Sequence, residues 1–256
     1  MTPAAILSGF ADISVPQLLL IAGMGVLTSL IGGVAGYGTG ALMPLVLVPI
    51  VGPEPVVPII AISAMITNTS RATAFRKLID RRRALIVLAA AAPTCVLGAY
   101  GYTRLTGAGV MILIGTMLVL SVPLRRTLRS RGFQLDDKRL GAASVAWGVL
   151  VGGTSGAGII LLSMLMAAGV EGAAVIATDA VISIALGLVK LTVFGFAGVL
   201  TAQVIAVALL IGLVAFPGAF LARAMVERLP IHIHTAILDA VVVMGGVVMI
   251  IGALRR

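Results

Sequence analysis

Two glycine clusters interrupt long apolar runs, and beside them lie the polar side chains that could do chemistry. The first reads Gly32-Gly33-Val34-Ala35-Gly36-Tyr37-Gly38-Thr39-Gly40, the second Gly152-Gly153-Thr154-Ser155-Gly156-Ala157-Gly158. A glycine cluster at membrane depth breaks a helix and frees N–H and C=O groups that a partner helix, water or a bound solute must satisfy. Freed N–H groups at a half-helix N-terminus attract anions through the helix dipole. Thr39, Thr154 and Ser155 add hydroxyl donors suited to an oxyanion, and Tyr37 adds a phenol that could donate or gate. Gly36, Tyr37, Gly38, Thr39, Gly40, Thr154, Ser155, Gly156 and Gly158 are therefore candidates to hold a small anionic substrate. The competing reading is packing: small residues let helices approach closely, and Ser or Thr bonds back to local carbonyls.

A second set of candidates lies outside the clusters. Thr67-Asn68-Thr69-Ser70-Arg71 comes late in one apolar run, and Thr178, Asp179, Ser183 and Lys190 punctuate a later one. Ionisable groups within a membrane span are expensive and mark solute or proton pathways. Arg71 or Lys190 would neutralise a bound anion, Asn68 would hydrogen-bond it, and Asp179 would carry a coupling proton. Against this, Arg71 and Lys190 lie near segment ends, where long basic side chains snorkel into headgroups.

The surrounding composition says what must position these groups. Of 256 residues, 60% are hydrophobic and 11% charged, with a mean hydropathy of +1.20, whereas soluble domains carry roughly 25% charged residues. Apolar runs span about 15–51, 56–75, 84–103, 107–124, 140–169, 172–196, 199–222 and 231–254. Backbone groups in hydrocarbon must bond internally, so these are helices, and the ten-residue alternation of a membrane β-barrel is absent. The expected fold is all-α, a polytopic membrane bundle of about eight segments. The first and fifth runs exceed the ~20 residues needed to cross and contain the glycine clusters.

Internal similarity divides the chain. Gly32, Gly33, Gly36 and Gly38 recur as glycine 120 positions later, and Pro93, Leu97, Arg104 and Leu105 recur 124 positions later. This predicts two homologous membrane repeats, 1–124 and 140–256, joined by a basic linker over 125–139 that carries Arg125, Arg126, Arg129, Arg131, Lys138 and Arg139. The other basic loop, residues 76–83, is two spans away and on the same side, which positive-inside logic makes cytoplasmic. If each glycine-broken run crosses once, the halves are parallel and Arg255 and Arg256 face inward. If each folds back, the halves are inverted and Arg223 and Arg228 take that side.

Several functions are disfavoured. The net charge of +9 sits in loops as membrane-orienting charge, and aromatics are only 4%, so no nucleic-acid partner is expected. His232 and His234 are two apart, which puts them on different helix faces, and no carboxylate or cysteine joins them at ligand spacing, so no metal is expected. Cys95 reads as a buried hydrophobe and Trp147 as a packing or boundary residue. No nucleotide motif, nucleophile elbow or metalloprotease signature occurs, so neither an enzyme nor a cofactor is expected. The N-terminus lacks a basic residue before its first apolar run and a cleavage signature, which reads as no removable signal peptide. The partners expected are the lipid bilayer and a small anionic substrate, with a homo-oligomer compatible with glycine-lined helix faces. The alternative function is a non-transporting structural or assembly subunit of a membrane complex.

The run Gly36-Tyr37-Gly38-Thr39-Gly40, the following Pro44 and the duplicated layout resemble the sulfite exporter TauE/SafE family of membrane permeases over nearly the whole chain. That family's pattern is Gly-x-Gly-Gly-Gly followed by proline. Thr39 replaces its fourth position, and Gly156-Ala157-Gly158 runs into Ile159 and Ile160 without a third glycine or a matching proline. The resemblance implies a secondary transporter in the cell's inner (plasma) membrane for sulfite, a sulfonate or another sulfur-containing anion.

Overall fold

The computed structural model describes residues 2–35, 38–130, 134–218, 220–221 and 231–255, and all regular structure among them is helical. After α1 (Pro3–Leu7) come α2 (Val15–Ala35), α3 (Thr39–Val51), α4 (Val56–Ala74), α5 (Arg81–Tyr102), α6 (Gly107–Ser130), α7 (Asp137–Gly153), α8 (Gly158–Ala167), α9 (Ala173–Phe196), α10 (Ala202–Ala215) and α11 (Ile231–Leu254). The first apolar run thus becomes α2 and α3, and the fifth α7 and α8, each broken where its glycines fall. The 125–139 stretch is only partly loop, because α6 continues to Ser130 and Asp136 caps α7 by accepting from Arg139 N at 2.8 Å. Gly36, Tyr37, Arg131, Arg223, Arg228 and Arg256 lie outside the described residues, as do the side chains of Arg125, Arg126, Arg129, His232 and His234.

Four helices have the length and hydropathy to cross a bilayer among the described residues: 15–32 of α2, 107–124 of α6, and all of α5 and α9. Their outward faces stay apolar, with Leu85 and Leu97 on α5 and Leu188 on α9 more than half exposed. Such a surface suits lipid.

Contacts between helices fix the direction of each. The N-terminus of α5 carries the basic turn of residues 76–83 and its C-terminus carries Tyr102, which defines a basic end and a far end. α9 starts at the basic end, where Thr178 Oγ1 accepts from Asp80 N at 3.0 Å, and finishes at the far end, where Phe194 packs on Tyr102 at 5.9 Å. α7 starts at the basic end through the Arg82–Asp137 ion pair and runs parallel to α5, with Gly141, Gly148 and Gly152 against Ile86, Ala91 and Cys95 in turn. α8 then returns: Ala167 O accepts from Leu135 N at 2.8 Å, and Ala168 O from Arg83 Nη2 at 3.2 Å, back at the basic end.

The other broken run does the reverse. Gly9, just before α2, lies against Ala202 at the far end, and Thr39 at the start of α3 lies beside Thr28, midway along α2. α3 then returns to the far end, where Tyr102 Oη donates to Glu54 O at 2.8 Å. Each broken run is therefore a helical hairpin that folds back, and the two hairpins open to opposite ends. α11 runs antiparallel to α6, with Gly246 on Gly115 and Gly252 near Met111, so Arg255 lies at the far end.

Packing partners are exchanged across the middle of the chain. α5 packs on α7 as α10 packs on α2, and α5 packs on α9 as α10 packs on α4, while α4 meets α9 and α6 meets α11. Glycine allows the closest approaches: a Cβ at Gly152 would clash with Cys95 O, and one at Gly98 with Val149 O. Gly152→Val should lower the unfolding midpoint in detergent, with a cost of about 1–3 kcal/mol or more. Gly23→Ala, where a Cβ meets nothing within 4 Å, should not. Single cysteines at Lys77 and Arg255 should label from opposite faces of a sealed membrane; labelling from one face would overturn the hairpin directions.

Candidate functional site

The two hairpins meet at their returning half-helices. At ~1.5 Å per residue, the 13-residue α3 reaches ~20 Å inward from the far end and the 10-residue α8 ~15 Å from the basic end, so both N-termini stop near mid-depth. Ala41 N and Leu42 N donate to Gly38 O, Ile159 N to Gly156 O and Ile160 N to Ala157 O, and each half-helix points the positive end of its dipole at the junction. A Cβ on Gly40 would stand 3.2 Å from Gly156 N, a tight approach that glycine makes without displacing either side of the junction. Gly156 adopts φ +89°, a left-handed turn that lets the chain reverse into α8. Trp147 Nε1 donates to Ala157 O at 2.9 Å and holds that turn from α7.

Pro44 explains the bond that joins the two breaks. Having no N–H, it cannot donate to the carbonyl four residues back, which is Gly40 O. That carbonyl instead accepts from Ser155 Oγ, across the junction of the hairpins. A gap in one half-helix is thus filled by a side chain from the other.

α4 and α9 form the wall facing this junction. Along α4 the stripe Val57, Ile60, Ala61, Ala64, Asn68 and Arg71 faces inward, and along α9 the stripe Asp179, Ser183, Leu186, Gly187 and Lys190, both at helical spacing. Stripes and half-helices together enclose a cavity of about 110 Å³, room for several water-sized groups. Arg71, Asp179 and Lys190 are 8%, 3% and 9% exposed, which corrects the snorkelling alternative: these charges sit in the wall of the cavity. Arg71 Nη1 stands 3.8 Å from Asp179 Oδ2, an ion pair too long for a hydrogen bond. Asn68 Oδ1 and Asp179 Oδ1 are buried without a hydrogen-bond partner. Lys190 has no carboxylate partner among the described residues.

The cavity gathers Gly38, Thr39, Gly40, Asn68, Arg71, Thr154, Ser155, Gly156, Gly158, Asp179 and Lys190, all candidates from the sequence. Gly36 and Tyr37 lie outside the described residues. The hydroxyls do not behave as free donors: Thr154 Oγ1 donates to Leu150 O at 2.8 Å, Ser155 Oγ to Gly40 O, and Thr39 Oγ1 stands 3.5 Å from Thr28 Oγ1. What the breaks offer the cavity is mainly the positive ends of two helix dipoles. The apolar members of the α4 stripe were not anticipated, although stepping back from Arg71 and Asn68 by three and four positions finds them.

The Pro44–Ser155 relation makes a prediction. Ser155→Ala strands a buried carbonyl and should cost about 1–3 kcal/mol in thermal unfolding. Pro44→Ala restores an N–H donor within α3, so the double variant should recover part of that loss; strictly additive losses would refute the pairing.

A family model described as Sulfite exporter TauE/SafE matches residues 21–249, most of the length. Neither curated proteins nor solved structures gave a match. The match runs from within α2 to within α11, so it takes in both hairpins, both stripes and the cavity. Together with the crossing helices and their apolar outer faces, it makes this a multi-pass membrane transport protein, a member of the sulfite exporter TauE/SafE family.

Proposed function

We propose that the chain is a secondary transporter of the cell's inner (plasma) membrane that carries a small sulfur-containing anion, such as sulfite or a sulfonate, through the cavity between its hairpins. One observation carries this reading. Two half-helix N-termini from opposite ends of the bundle converge on a cavity that also holds Arg71 and Lys190. Convergent N–H groups and cations stabilise negative charge where water is scarce. The sulfur in the substrate rests on family membership.

The fold supports a way of moving it. Residues 1–124 and 140–256 are taken as inverted repeats, for which the exchanged helix partners and oppositely opening hairpins are the support. Rocking one repeat against the other would expose a central site to each side in turn. The basic end faces the cytoplasm by the positive-inside rule. Transport draws on a gradient, and Asp179, the one acid among the described residues of the cavity wall, is assigned to the coupling proton.

Purified protein in proteoliposomes should show saturable flux of sulfite, thiosulfate or a small sulfonate. Gly40→Leu, which wedges the two N-termini apart, should reduce that flux at least about tenfold while the protein stays monodisperse. Asp179→Asn should retain downhill flux and lose its response to an imposed proton gradient. Absence of protein-dependent flux of any anion would reject transport.

A further inference from the structure

The two cations of the cavity are anchored at different depths of its wall. Asp179 and Lys190 are eleven positions apart on α9, about 16 Å along the axis. Arg71 is held beside Asp179, so it shares the basic-end position, roughly 9 Å in from the start of α9, while Lys190 lies roughly 9 Å from its finish. The half-helix N-termini stop at the depth between them. Arg71 and Lys190 occupy comparable places on the facing stripes of α4 and α9, 119 positions apart in sequence, yet their surroundings differ. Lys190 is nine-tenths buried, faces the cavity and has no carboxylate partner among the described residues. Arg71 has Asp179.

We propose, building on the transport reading above, that the cavity contains two anion stations, one at Lys190 and one at Arg71, and that Asp179 is a built-in anion occupying the second. The resting protein then binds one mobile oxyanion, at Lys190. The anion advances to Arg71 only by displacing the Asp179 carboxylate. The geometry suits displacement: the pair stands at 3.8 Å without a hydrogen bond, and Asp179 Oδ1 has no partner to hold the carboxylate in place. A buried pair fixed by two short bonds would instead be a strut. The ligand class is a compact oxyanion, because the space is about 110 Å³ and its wall carries two cations beside the positive ends of two half-helices.

Equilibrium binding of radiolabelled sulfite to detergent-purified full-length chain tests this through stoichiometry, which a purely structural role for these residues would not change. Wild type should bind one sulfite per chain. Lys190→Gln should weaken that binding at least about tenfold, as loss of a charge-assisted contact does. Asp179→Asn should bind two, and Asp179→Asn with Lys190→Gln one. If Asp179→Asn proves unstable because it removes the acid paired with Arg71, Arg71→Gln with Asp179→Asn removes both charges and should bind one sulfite rather than two. Wild-type affinity in Lys190→Gln, or loss of binding in the Arg71→Gln, Asp179→Asn pair, overturns the proposal. So does a single sulfite in a folded Asp179→Asn chain. Such results alongside intact proteoliposome flux would reject the two stations and leave the transport reading standing; no binding to wild type and no flux would reject both.

Discussion

A helix interrupted inside hydrocarbon leaves N–H and C=O groups that lipid cannot satisfy, and the architecture of this protein follows from where those groups go. At the first break the stranded carbonyl is Gly40 O, deprived of its donor by Pro44 and recovered by Ser155 Oγ from the second break. The first interruption is tolerated in part because the second is present, and the second is held by Trp147 Nε1 on Ala157 O. For this to happen, two segments 115 positions apart must meet at the same depth, with glycine at both contact points. The hairpins, their opposite openings and the short reach of α3 and α8 are what bring them there.

The remaining helices hold that meeting point from both ends. α5 does so at each of its termini: Arg83 binds the carbonyl that ends α8 at the basic end, and Tyr102 binds the carbonyls that follow α3 at the far end. Its middle lies against α7 through glycine contacts that no larger residue would permit. Without water to drive helix association, such close van der Waals approach supplies the cohesion that apolar burial supplies in soluble proteins. The cavity is what remains when rigid half-helices stop short of each other between α4 and α9.

Charge inside this cavity is costly, and its asymmetry carries meaning. The α4 and α9 walls both carry a cation at helical spacing, but among the described residues Arg71 is matched by an acid and Lys190 is not. The hydroxyls of the breaks belong to the scaffold more than to the ligand, since Thr154 and Ser155 donate to carbonyls.

Much of this was legible in the amino-acid sequence. Hydropathy and run length determine a membrane helix bundle, because hydrocarbon admits few other structures. The glycine clusters mark both helix breaks, and the rarity of ionisable residues in apolar runs singles out Arg71, Asp179 and Lys190. Tertiary structure alone decided whether the broken runs cross or return. Loop charges balance equally in either arrangement, whereas the contacts of Ala168 with Arg83 and of Glu54 with Tyr102 place both ends of each hairpin on one side. It also decided that Asp179 faces Arg71 and not Lys190, since two residues on different helices acquire a common depth only when those helices pack. Local sequence sets where a helix must break; which groups meet at the break depends on packing between segments far apart in the chain.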